Sequence, residues 1–372
     1  MVSLSNHERV LGHEQDERMM ERALFHAARG SGRTSPNPLV GAVVVTPDGV
    51  IVGHGFHERA GEPHAEIRAL AEAGSHAQGA TLYCSLEPCC HQGRTGPCVT
   101  RIVEAGVTRV VAAAEDPNPL VSGRGIAFLH EHGVTVDVGL GAQRAVALNQ
   151  PFFTLMQQRR PFVVLKAATS LDGYIAAAPG RRTLLTSAPA NRHAHVMRAE
   201  VDAIGVGSGT IVSDDPLLTA RGAFRERPLT RVIFDRRLRT PPRARVLSTR
   251  DAGPVIIVTT AQAAERADLR KPLEDSGAEI DVAQETFRSA LDRLGARGVG
   301  SLLLEGGAAL HAGAWDEGLV DFVRLYVTPQ VLGSAGLPLL IDRGFRSAEL
   351  GGRRVEQLGP DVLIEGYVHR SR

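Results

Sequence analysis

Apolar positions along the chain change period in a regular way. Residues 14–29 carry Met20, Ala23, Leu24, Ala27 and Ala28 at spacings of three, four, seven and eight, which predicts a helix with one buried face. Two β-branched runs follow, 40–46 and 50–55, separated by Pro47-Asp48-Gly49, and they predict a hairpin. Pro63 then stands ahead of a helix expected over 64–73, which Gly74 closes. A strand at 80–85, a helix at 98–105, a strand at 107–114, a helix at 125–132 and a strand at 134–138 continue the alternation. Such an order predicts a sheet layered between helices.

Residues 141–160 read as a short helix running into the polar stretch Gln157-Gln158-Arg159-Arg160-Pro161, which suits a domain boundary. The pattern then restarts. Strands are expected at 162–167, 201–206, 230–235, 255–259, 279–282, 301–305 and 321–328, with helices at 188–200, 284–295 and 308–317. A closing strand pair at 355–358 and 362–369 flanks Gly359-Pro360. With 372 residues the chain is too long for one ordinary core. Two α/β domains are expected, assigned to residues 1–145 and 146–372.

Composition narrows the partners. The formal net charge is +1, so no global field recruits nucleic acid or a membrane surface. Aromatic residues make up 4%, with Trp315 the one tryptophan, which is poor material for stacking bases. The longest apolar runs fall far short of the roughly 20 residues that span a bilayer, and the first twenty residues hold no apolar signal core. A cytoplasmic protein with no membrane or nucleic-acid partner is the expectation.

All four cysteines, Cys84, Cys89, Cys90 and Cys98, lie within one 15-residue window. Clustering of this kind favours a metal over a disulfide framework. His64-Ala65-Glu66 opens one predicted helix, Pro88-Cys89 follows a strand, and Cys98 opens the next helix. One imidazole and two thiolates suit a catalytic zinc, which keeps a fourth position for water and lowers that water's pKa to roughly 7. Glu66, two residues after His64, can reach that position without ligating and carry protons to a ring nitrogen and a leaving amine. The order His-x-Glu, Pro-Cys, Cys is that of zinc deaminases. Cys84 is expected to pack and Cys90 to point elsewhere.

The stretch from Leu86 to Cys98 is wider than the Cys-x-x-Cys of nucleoside deaminases. It resembles the bifunctional riboflavin-biosynthesis deaminase/reductase family. Ser35-Pro36-Asn37-Pro38, Gly61-Glu62-Pro63-His64-Ala65-Glu66 and Asp116-Pro117-Asn118-Pro119 support the likeness, and Lys166 to Gly173, Gly209 to Thr219 and Glu305-Gly306-Gly307 extend it through the second half. The resemblance implies a cytidine-deaminase-like three-layer α/β/α domain and a dihydrofolate-reductase-like α/β domain. It implies Zn2+ and NADPH as cofactors, a phosphorylated pyrimidine substrate and a homo-oligomer. By the same likeness Arg182, Arg198, Leu218, Arg221 and Glu305 touch substrate. Ala168, Leu184, Thr210, Asp214 and Gly307 touch the nicotinamide cofactor. One segment departs: Arg182 stands where family members have serine, and Leu184 where they have a cofactor-facing tryptophan. Read without the family, Gly205 to Gly209 is an ordinary glycine-rich turn. Glu305-Gly306-Gly307 at a helix start better suits an anionic phosphate.

Overall fold

The structure, a computed structural model, describes residues 6–91, 96–340, 346 and 350–368. Residues 92–95 of the cysteine-flanked stretch and position 369 of the last expected strand lie outside these. The chain divides into two compact units, Met1–Gln158 and Arg159–Arg372.

The first unit runs α1 (Asn6–Ala28), β1 (Gly41–Val45), β2 (Ile51–Phe56), α2 (Ala65–Ala73), β3 (Thr81–Cys84), α3 (Cys98–Glu104), β4 (Arg109–Ala112), α4 (Arg124–Glu131), β5 (Thr135–Val138), α5 (Ala142–Leu148) and α6 (Gln150–Gln158). Its five-stranded sheet has the order β2-β1-β3-β4-β5. The β1–β2 and β1–β3 pairs are antiparallel, while β3–β4 and β4–β5 are parallel. Two missing side chains set the layers. A Cβ on Gly41 would fall 2.1 Å from the Ala23 carbonyl oxygen of α1, and one on Gly55 would fall 2.5 Å from the Ala65 carbonyl oxygen of α2. Gly41 pairs with Phe56 and Ala42 with Gly55, so the two glycines face opposite sides of the sheet. Helices therefore press on both faces, giving the expected three layers.

The division falls thirteen residues past the expected end of the first domain, at 158 instead of 145. The reason is local. Buried Asn149 accepts from the Leu39 N–H at 2.7 Å and donates to the Leu39 carbonyl at 2.9 Å. Phe152 of α6 packs into the same core as Val43 and Leu82. The stretch read as one short helix thus forms two, α5 and α6, which belong to the first unit, and residues 159 and 160 belong to the second.

The second unit contains β6 (Phe162–Thr169), β7 (Tyr174–Ala176), α7 (Ala188–Glu200), β8 (Ala203–Gly207), α8 (Ser208–Asp214), β9 (Thr230–Phe234), β10 (Val255–Thr259), α9 (Ala261–Ala264), α10 (Ala267–Asp275), β11 (Glu279–Val282), α11 (Phe287–Ala296), β12 (Ser301–Leu304), α12 (Ala308–Asp316), β13 (Phe322–Val327), β14 (Leu337–Pro338), β15 (Leu350–Leu358) and β16 (Asp361–Val368). Nine strands make one sheet in the order β11-β10-β9-β8-β12-β6-β13-β16-β15. It is parallel from β11 to β13, and β16 and β15 then add antiparallel. The continuous apolar runs of β8, β10 and β12 follow from burial of both faces of a parallel sheet. Among the described residues, no helix is long and apolar enough to cross a membrane.

Candidate active sites

Three short elements bring the metal-binding residue types together. His64 is the N-cap of α2, in extended backbone with φ −69° and ψ 163°, and Glu66 lies in the first turn of that helix. Cys98 is the first residue of α3. Cys89 follows β3 in an irregular segment. His64 Nδ1 stands 3.2 Å from Cys98 Sγ and 3.4 Å from Cys89 Sγ, and all three donor atoms lie within 4.8 Å of one another. A tetrahedral zinc with its usual nitrogen and sulfur bond lengths sets N···S edges of roughly 3.5 Å. The donor set and its spacing therefore fit zinc. The Cys98 N–H also donates to Cys89 Sγ at 3.4 Å.

The electrostatics agree with that use. The neighbouring Cys98 thiol and the His64 ring drive Cys89 down to about 4, toward the thiolate that a metal requires. Burial pushes the Glu66 carboxyl up to about 7. Glu66 is 3% exposed, and its Oε2 is buried with no hydrogen-bond partner among the described residues. An orphaned carboxylate oxygen of this kind, beside three metal donors, is what a proton carrier for a bound substrate needs. Cys84 packs in the core and donates weakly to the Val111 carbonyl, and Cys90 leans toward the Leu120 carbonyl; neither joins the donor set.

His57 carries no role from sequence reasoning. It is 3% exposed, its ring centroid lies 5.4 Å from that of His64, and Asn37 Nδ2 donates to its Nε2 at 3.2 Å. The nearby Asn37 in Ser35-Pro36-Asn37-Pro38 was the available signal.

In the second unit, a cleft of about 670 Å³ collects the polar residues of the sheet's carboxyl edge. Of the residues expected to touch substrate, Arg182, Arg198, Leu218, Arg221 and Glu305 all line it. Of those expected at the cofactor, Leu184, Thr210, Asp214 and Gly307 line it as well. Ala168 does not; it packs on β6 against the core around Tyr326 and Ala194. Leu184 is 77% exposed, an apolar side chain presented to the cleft. The segment read as a glycine-rich turn is the end of β8 and the start of α8, with Gly207 as N-cap. Leu218 adopts φ 53°, a left-handed conformation costly for a leucine, in the cleft wall.

One ion cluster organises this cleft. Arg198 of α7 grips Glu305 in a fork, Nε to Oε1 at 2.8 Å and Nη2 to Oε2 at 2.7 Å. Lys166 of β6, unassigned by sequence reasoning, places Nζ 3.9 Å from Glu305 Oε2. Burial alone would raise the Glu305 carboxyl, yet Arg198 and Lys166 prevail and hold it at about 2. Burial lowers the Lys166 ammonium, and Glu305 restores part of that loss. The signal for Lys166 was a lysine inside the otherwise apolar run of β6.

His311 of α12 gives the unit a measurable acid response. Burial, with the Lys166 charge nearby, pushes it from 6.5 to about 4. Its folded value lies below its unfolded one, so its contribution is complete above about 6.5 and lost as pH falls toward 4, reaching about 3 kcal/mol. Denaturant unfolding between pH 7 and pH 4 is expected to show that fall, and His311→Leu to flatten it. An unchanged slope in the variant contradicts the assignment.

The fold and the two sites define a class: a zinc-dependent deaminase domain followed by a reductase domain. The model for the cytidine and deoxycytidylate deaminase zinc-binding region matches residues 13–114, and that for the RibD C-terminal domain matches 161–364. The riboflavin biosynthesis protein RibD of Aquifex aeolicus is 41% identical over 356 residues, covering 94% of this chain and 98% of the relative. That of Escherichia coli is 38% identical over 368 residues, covering 94% and 98%. A solved Acinetobacter baumannii RibD matches with TM-score 0.85 at 35% identity, covering 96% of this chain and 99% of that one. A diaminohydroxyphosphoribosylaminopyrimidine deaminase/5-amino-6-(5-phosphoribosylamino)uracil reductase from Thermotoga maritima matches with TM-score 0.83 at 33% identity, covering 96% and 100%. The chain belongs to the RibD family of bifunctional riboflavin-biosynthesis enzymes.

Proposed function

We propose that His64, Cys89 and Cys98 hold the zinc of a hydrolytic deaminase acting on a phosphoribosylated diaminopyrimidine, and that Glu66 moves its protons. The observation that carries this is the buried, unpartnered Glu66 Oε2 beside the three converging donor atoms. Zinc, when bound, supplies a water acidic enough to attack an aromatic carbon at neutral pH. Glu66 Oε2 would take one proton from the attacking water and deliver it to the ring nitrogen. It would then take the second proton, from the newly attached hydroxyl, and hand it to the departing amino group, so that water and substrate give a carbonyl and ammonia. A carboxyl held near 7 gives and takes a proton with little cost either way.

The cleft of the second unit takes the deaminated product and NADPH. When bound there, NADPH would supply the hydride, and solvent the proton, for reducing the ring-opened ribosyl group to a ribityl chain. The side chains supply orientation and charge. Arg221 and Arg182 offer guanidinium forks to the substrate phosphate. The Arg198–Glu305–Lys166 cluster presents fixed polar groups to the sugar. Gly307, the N-cap of α12, opens backbone N–H groups to the cofactor. Four free cysteines fit a cytoplasmic home, and the near-neutral charge and low aromatic content support a small-molecule enzyme without a nucleic-acid partner. The family likeness supports a homo-oligomer.

The two activities separate under chelation. Stripping zinc with a chelator is expected to stop ammonia release from the diaminopyrimidine, while NADPH consumption on the deaminated compound continues. Deamination at the untreated rate in zinc-free protein contradicts the proposal.

A further inference from the structure

Glu87, two residues before Cys89, is 3% exposed and touches neither the zinc donor atoms nor Glu66 by any hydrogen bond described. Its carboxylate is spent on a distant segment. Oε1 accepts from the Gly125 N–H at 2.9 Å and the Ile126 N–H at 3.3 Å, in the first turn of α4. Oε2 accepts from the Gly123 N–H at 3.0 Å and the Asp116 N–H at 3.2 Å. Four backbone donors on one buried carboxylate are more than a fold-neutral contact supplies, and hydrogen bonds to charged groups are the strong kind. The carboxylate also sits at the positive end of α4, capping amides that the helix itself leaves unpaired.

What those bonds hold in place is the 116–126 segment, and the segment covers the metal donors. Val121, 1% exposed, packs in one small apolar cluster with Cys89 and Cys98, against Ile67 of α2. The fit around Glu87 leaves no slack. A Cβ on Gly125 would lie 2.1 Å from the Pro88 carbonyl oxygen and 3.1 Å from Glu87 Oε1. Pro88 is the link between the clamp and the ligand Cys89. The Glu87 N–H in turn donates to the Ala114 carbonyl at 2.9 Å, tying Glu87 to the chain just past β4, where the same segment begins.

We infer that Glu87 is a positioning residue of the metal centre: its carboxylate pins the 116–126 segment so that Val121 seals the two thiolates and Cys89 keeps its place. The inference rests on the assignment of His64, Cys89 and Cys98 as zinc ligands. Groups that orient metal ligands typically contribute about 10- to 100-fold in metal affinity. Glu87→Gln keeps the shape but offers an amide nitrogen where two backbone N–H groups need an acceptor. Its zinc dissociation constant, from chelator competition on the full-length protein, is expected to rise at least tenfold. The visible spectrum of the cobalt-substituted variant is expected to shift, because ligand geometry changes; a residue that merely stabilised the fold would move neither. Val121→Ala leaves every Glu87 bond in place and removes only the cover, so faster zinc release is expected from it, and this holds as a test should Glu87→Gln fail to fold. Zinc affinity within twofold of wild type with an unchanged cobalt spectrum in Glu87→Gln, or unchanged zinc release in Val121→Ala, overturns the inference. A wild-type chain that takes up no zinc, or a Cys89→Ala chain that keeps it all, overturns the ligand assignment instead, and this inference falls with it.

Discussion

Glu66→Gln is expected to release ammonia from the diaminopyrimidine about 10²- to 10⁴-fold more slowly than wild type, the usual contribution of a positioned general acid-base. Glutamine fills the same buried space, so zinc content is expected to stay at the wild-type level. NADPH consumption by the second unit is expected to be unchanged, which separates lost proton transfer from lost folding. Oε2 meets no partner among the described residues, and burial has raised the carboxyl to about 7 despite the nearby His64 ring and Cys98 thiol. A Glu66→Gln protein that deaminates at the wild-type rate contradicts the role.

Glu305→Ala is expected to act on the other activity and more broadly. It leaves Arg198 and Lys166 facing each other inside the cleft with no anion between them. Removing one member of a buried ion cluster costs about 3–5 kcal/mol, because the remaining charges are uncompensated. Denaturant unfolding of the second unit is expected to shift by that amount, with NADPH consumption lost and ammonia release retained. A variant with normal stability and normal NADPH turnover contradicts the place given to the cluster. Its carboxyl, held at about 2, stays ionised across the physiological range, so pH is no substitute for the mutation.

The metal donors were legible because each sits where the chain changes element. A histidine capping α2, a cysteine after β3 and a cysteine opening α3 converge once the sheet forms, and turn and helix-start residues mark those places in the sequence. Residues acting through tertiary contacts were not. Glu87 reads as one more acidic residue until α4 folds back onto it, and Lys166 reads as an interruption of an apolar strand until Glu305 arrives from β12. The domain boundary was misplaced because the apolar face of α5 and α6 has no mark saying which core it joins; Asn149 and Phe152 decide it by contact. Helices α9 and α10 went unread because they are short and Pro272 lies inside the second. The short β7–β14 pair, with two or three residues a side, offers no periodicity to read.

X-ray absorption at the zinc edge, on the full-length protein without substrate, tests the account most directly. It is expected to show four ligands: two sulfurs at about 2.3 Å and two lighter atoms at about 2.0 Å, one of them the His64 nitrogen and the other exchangeable water. Three sulfurs and no exchangeable ligand would make the centre a closed structural site, and the deaminase chemistry assigned to Glu66 would have no place to occur.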